Sequence, residues 1–158
     1  MPRVLICATN VVPNPYFTVD RTVGRNAPND RLDVLLVQVQ LYDFTEYSSS
    51  PFPRTVPSGL RVATPLFRAT PATPTHPKPQ GHIVIDGICG DQTIGFIEYF
   101  QEQMQLAGFG VELNGQVAPY GTAGTTTMQL LNDKVPEEPR KMWRTGIYPR
   151  ELMNSFYF

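Results

Sequence analysis

Two stretches of this chain carry apolar residues at helical intervals, and they are separated by turn formers and by one long run rich in proline. In the first, Asp30 to Leu41, two overlapping sets fit one helix: Leu32, Leu35, Leu36, Val39, and Val34, Val37, Leu41. A helix with two apolar faces is buried on most sides. Its β-branched residues Val34, Val37 and Val39 would also suit a strand on propensity alone. Asn26 to Asp30 supply cap and turn residues before it, and Asp30 and Asp33 complement the helix dipole. The second stretch, Gln92 to Leu106, aligns Ile94, Ile97, Phe100 or Gln101, and Met104, with Phe96 and Tyr99 widening the stripe. Gly108 and Gly110 mark its end. Gly95 inside it costs up to about 1 kcal/mol relative to Ala, which predicts a close neighbour above that point. Val4 to Ala8, near the beginning, is an apolar run that suits a buried or edge strand.

Between the two helical stretches, eight prolines (51, 53, 57, 65, 71, 74, 77 and 79) recur too often for a packed helix across Tyr42 to Gln80. Phe44, Tyr47, Phe52, Leu60, Val62, Leu66 and Phe67 give this insertion enough apolar content for parts of it to lie on the domain surface or form short strands. Pro71 to Gln80 has the composition of a stiff polyproline spacer. His82 to Ile85 is an extended entry into a turn at Asp86-Gly87.

The order Asp86-Gly87-x-x-Gly90, then Thr93, Phe96-Ile97 and Phe100-Gln101, resembles the signature of the peptidoglycan-binding-like domain family. Asp33-Val34-x-x-Val37-Gln38-x-x-Leu41 is similar to that family's first helix, and Thr127 to Asn132 resembles its last. Asn114-Gly115 with Val117-Ala118-Pro119-Tyr120-Gly121 is a weaker echo of the turn. The similarity spans Val23 to Asn132. It implies a mainly α fold: a three-helix bundle carrying a long Pro-rich insertion, with extra N- and C-terminal segments. The domain would then occupy 23–132, with the insertion at 42–80, an extension at 1–22 and a tail at 133–158. Family members bind peptidoglycan through a surface groove without catalysing, and are commonly joined to cell-wall hydrolases. Asp86, Gly87, Gly90, Thr93, Phe100 and Gln101 read first as turn, cap and core residues. Contacts to a wall fragment would come from polar and aromatic groups beside the turn: Asp91, Gln92, Tyr99 and Tyr120.

Composition narrows the alternatives. A chain of 158 residues with 41% hydrophobic content and a net charge of −1 fits one globular domain. That balance gives no electrostatic reason to expect nucleic acid or anionic membranes as partners. No stretch approaches a membrane span, and the only apolar run near the start is shorter than a secretory signal core. The expectation is cytoplasmic synthesis, with delivery to the wall by a phage-tail or contractile secretion apparatus. Two cysteines, Cys7 and Cys89, have no metal-site spacing, and Cys89 should tuck its thiol inertly into the turn.

No catalytic residue, metal or cofactor is expected. The two histidines, His76 and His82, form no ligand cluster. Glu98 and Glu102, one helical turn apart, could meet the separation of about 5 to 9.5 Å that glycosidases require, but so could many solvated helix faces. The tail, with Arg140, Trp143, Arg144 and the closing Phe156-Tyr157-Phe158, has the residue types of an interface core. It could equally fold back over the domain's own helices. Two functional expectations follow: a non-catalytic module for peptidoglycan or wall fragments, or a structural adaptor using the same fold to hold a protein partner.

Overall fold

A computed structural model describes residues 3–9, 12–46, 75–120 and 126–134. It contains a hairpin of β1 (Arg3–Thr9) and β2 (Val12–Thr18), a short strand β3 (Val23–Gly24), helix α1 (Arg31–Glu46), helix α2 (Asp91–Leu106), a short strand β4 (Gln116–Val117) and helix α3 (Thr126–Lys134). Among the described residues the chain is therefore partly helical, with three helices and two small antiparallel ladders. β1 pairs with β2 from Arg3 opposite Thr18 to Thr9 opposite Val12, and β3 pairs with β4 through Val23 opposite Val117. The apolar run Val4 to Ala8 is strand, as its pattern suggests. The insertion between 47 and 74, and the tail residues Trp143, Phe156, Tyr157 and Phe158, lie outside the described residues.

α1 is central among the described elements. Every residue from Asp33 to Leu41 is buried, so the doubly apolar pattern corresponds to a helix enclosed on most sides. The helix continues through Tyr42, Asp43, Phe44 and Thr45 to Glu46, past the point at which the proline-rich insertion was expected to begin. The reason is local. The first proline of that segment is Pro51, and Phe44 extends the apolar face three residues beyond Leu41. Phe44 packs edge-on against Phe100 of α2, with ring centroids 4.8 Å apart.

The core joins α1 to α2 through Phe96, Ile97, Phe100 and Met104, and to α3 through Met128, Leu130 and Leu131. Phe17 and Val19 belong to the same cluster. Residues expected to form an extension before position 23 thus supply part of the interior. Asp33 reinforces this join, because its buried carboxylate accepts the backbone N–H groups of Asp20 and Arg21, both at 3.0 Å.

α2 ends in a Schellman arrangement: Gly108 adopts φ +98°, the Phe109 N–H donates to the Met104 carbonyl, and the Gly108 N–H donates to Gln105. This is the stop that Gly108 announces in the sequence.

Candidate functional site

Two glutamines organise the turns that precede α2 and α3. Gln38, wholly buried in α1, reaches the Asp86-Gly87 turn. Its Oε1 accepts the N–H of Asp86 at 3.0 Å and of Gly87 at 2.8 Å. Its Nε2 shares two hydrogens among Asp86 Oδ1, the Ile88 carbonyl and Thr93 Oγ1, at 3.0, 3.0 and 3.1 Å. Asp86 Oδ1 also accepts the Ile88 N–H, closing an Asx turn.

Gln101, wholly buried in α2, repeats the pattern on the next turn. Its Oε1 accepts the Gly115 N–H at 2.9 Å, and its Nε2 faces Asn114 Oδ1, the Gln116 carbonyl and Thr127 Oγ1. Asn114 Oδ1 accepts the Gln116 N–H, as Asp86 does for Ile88. Glutamine and turn are 48 residues apart in the first clasp and 13 in the second, so the long insertion interrupts only the first. Each clasp is a satisfied buried amide network, which holds a turn to the preceding helix and a threonine of the following one.

Of the motif glycines, Gly87 has the conformation that demands glycine, with φ +77° and its absent Cβ facing the Arg31 side chain at 2.8 Å. Gly90 does not. It caps α2 in an extended conformation, φ −100°, and a Cβ there would point into open space.

Cys89 in this turn is a free, half-buried thiol packed against the core, and burial raises its pKa above the ordinary value. A raised thiol pKa keeps it protonated and unreactive.

The expected ligand residues serve different purposes. Asp91 is exposed at the start of α2. Gln92 is exposed too, but its amide is engaged: Oε1 accepts the Val84 N–H, and Nε2 donates to the His82 carbonyl. Tyr99 is half-buried beside Phe44, with ring centroids 6.4 Å apart, and its burial raises the phenol pKa. Tyr120 is exposed and tied to the hairpin, since its N–H donates to Thr18 Oγ1 at 2.8 Å.

The face of α2 that carries Gln92 is covered by the chain arriving from the insertion. Glu102 accepts the Thr75 N–H and hydroxyl through Oε1 and the His76 N–H through Oε2. Pro79 lies over Gly95, where an added Cβ would meet its Cγ at 3.1 Å. His82 and Val84 follow at Gln92. Residues 75–84 therefore run antiparallel to α2 as a strap. Ten helical residues rise roughly 15 Å, and the six steps from His76 to His82 would span roughly 19 Å if fully extended as polyproline. The neighbour that Gly95 predicts is this strap, and the stretch expected to be a spacer is docked on the helix through Thr75, His76 and Pro79.

A polar line missed in the sequence follows the strap. Arg25 pairs with Glu98, and the charge of Asp91 also acts on its guanidinium. The His76 ring lies between Glu98 and Glu102, at 3.7 and 3.6 Å. Burial would raise the Glu102 pKa, but the hydrogen bonds from Thr75 and His76 and the His76 ring outweigh it and hold the carboxyl below its usual value. Arg25 and His76 lie 73 and 22 residues from Glu98, with no periodicity or motif connecting them, which is why the pattern did not reveal them.

Among the described residues, no group of three or more His, Cys, Asp or Glu side chains could hold a metal ion, and no helix is long and apolar enough to cross a membrane. No family model, curated protein or solved structure matches this chain.

Proposed function

We propose that the protein is a non-catalytic binding module of the peptidoglycan-binding-like type, recognising peptidoglycan or a fragment of it. The observation that carries this reading is the pair of glutamine clasps. They tie the Asp86-Gly87 and Asn114-Gly115 turns to three helices in the order that the motif implies. A non-catalytic role accords with the state of the two candidate carboxylates. Glu102 accepts three hydrogen bonds from the strap and is held ionised, and Glu98 is paired with Arg25. A general acid needs the opposite environment.

The contacts proposed for a wall fragment are Asp91 and Arg25, both exposed and electrostatically linked on one side of α2. An exposed carboxylate and guanidinium can hydrogen-bond sugar hydroxyls and the amides of a stem peptide. Sedimentation with purified sacculi is the test. The native chain should pellet with the wall, and an Asp91→Ala, Arg25→Ala double variant should remain in solution. Failure of the native chain to pellet would end the proposal.

A second reading, an adaptor that holds a protein partner, draws on two exposed apolar residues around the first turn, Val84 at 53% and Ile88 at 65% exposure. Ile88→Ser should then abolish capture of that partner while leaving the pelleting assay unchanged.

A further inference from the structure

Asn114 is the only asparagine in the chain that is followed by glycine. In an unfolded peptide this pair is the one most prone to cyclise: the glycine N–H loses its proton, and the nitrogen attacks the asparagine Cγ. Ammonia leaves, and the resulting succinimide is opened by water at one of its two carbonyls, giving aspartate or isoaspartate. The net change is the replacement of the side-chain NH2 by OH, with no oxidant or cofactor.

Both reacting groups are engaged in the second clasp. The Gly115 N–H donates to Gln101 Oε1 at 2.9 Å in a buried hydrogen bond. The Asn114 side chain is fixed because its Oδ1 accepts the Gln116 N–H and faces Gln101 Nε2. Cyclisation would require the nitrogen to give up its acceptor and Cγ to leave the Asx turn. We propose that Asn114-Gly115 is a guarded modification site, kept inert by Gln101 while the fold is closed and converted when the turn before α3 opens.

The first clasp tells what each product does. There the position equivalent to Asn114 is held by Asp86, whose Oδ1 accepts from Ile88 and Gln38 with the same geometry. Aspartate at 114 can therefore remake the turn. Isoaspartate cannot, because its backbone runs through the former side chain and is longer by one methylene, which displaces Gly115 from Gln101. Opening thus becomes irreversible in the fraction of molecules that take the isoaspartyl branch.

The experiment uses the full chain at mildly alkaline pH, folded or in denaturing urea, with peptide mapping of every asparagine and enzymatic methylation to report isoaspartate. In urea, Asn114 should convert ahead of Asn10, Asn14, Asn26, Asn29, Asn132 and Asn154. In the folded chain its conversion should slow by at least about a hundredfold, in step with exchange of the Gly115 amide hydrogen. After removal of urea, aspartyl-114 chains should regain the native melting transition and isoaspartyl-114 chains should not. The directly made Asn114→Asp variant should melt like the native protein. Equal conversion rates in folded and unfolded chains would overturn the guarding role. Native-like melting of the isoaspartyl fraction would overturn the irreversibility. Because none of these readouts involves a wall ligand, they stand apart from the outcome of the sedimentation test.

Discussion

Single buried amides decide the stability of the turns. Replacing Gln38 with Leu leaves the N–H groups of Asp86 and Gly87 without their acceptor, and an orphaned buried donor costs about 1–3 kcal/mol. Gln38→Leu should therefore lower unfolding free energy by about 4 kcal/mol in urea titrations, a large share of the 5–15 kcal/mol typical of a domain. Gln92→Ala, at an exposed position, should cost no more than about 1 kcal/mol. A near-neutral Gln38→Leu would refute the clasp. Asp43 presents the contrary case. It is almost wholly buried in α1, neither carboxylate oxygen has a hydrogen-bond partner among the described residues, and burial pushes its pKa from 3.8 to about 7. The folded state then holds a proton that the unfolded chain releases near its ordinary value. Its stabilising effect is complete below about pH 4, declines as pH rises to about 7, and changes no further above that. At 1.36 kcal/mol per pKa unit the loss approaches about 4 kcal/mol. Asp43→Asn should be more stable than the native chain at pH 8, and should lose most of this slope when urea midpoints at pH 5 and pH 8 are compared. Glu102 works in the opposite direction, since its lowered pKa contributes stability that is lost on acidification through the carboxylate range. The difference between variant and native chain isolates Asp43.

At the scale of elements, the strap depends on α2 for its register. Glu102→Ala removes the acceptor of the Thr75 and His76 N–H groups but leaves Gln92 holding His82 and Val84. Amide exchange at Thr75 and His76 should then accelerate by tenfold or more, while the Gly87 amide, clasped by Gln38, keeps its protection. Equal acceleration at all three would mean that Glu102 supports the whole fold and not only the strap. Helices α1 and α2 were legible because their signal is local and periodic: the α2 stripe from Ile94 to Met104 locates that helix within one residue of its observed start. The end of α1 was misjudged because the general rule about prolines was applied to a stretch, Tyr42 to Glu46, that contains none. β3 and β4 are two residues each, too short for an alternating pattern, and exist because Gly24 has no side chain. A Cβ there would sit 2.0 Å from the Gly115 carbonyl oxygen. The strap and the Arg25 to Glu98 pair are contacts between polar residues far apart in the sequence, and such contacts leave no periodic trace in a single sequence.

For the whole molecule, the question is where the folding unit begins. The sequence resemblance starts at Val23, yet Phe17 and Val19 are interior residues, and Asp33 accepts hydrogen bonds from Asp20 and Arg21. A chain beginning at residue 23 would forfeit the burial of both apolar side chains, each contributing about 1.5–3 kcal/mol. It would also leave the Asp33 carboxylate in the first turn of α1 without its two donors. Burial already raises the pKa of that carboxylate despite those hydrogen bonds, so their loss would force it either to take up a proton or to remain charged in an apolar setting. Together these losses rival the full stability of a domain this small. Deleting residues 1–22 should therefore abolish the cooperative thermal transition seen by near-ultraviolet circular dichroism, even though all three helices remain in the sequence. A truncated chain that melts cooperatively within a few degrees of the native protein would show instead that the helices and their two clasps are self-sufficient, and that the hairpin is an addition to a complete bundle.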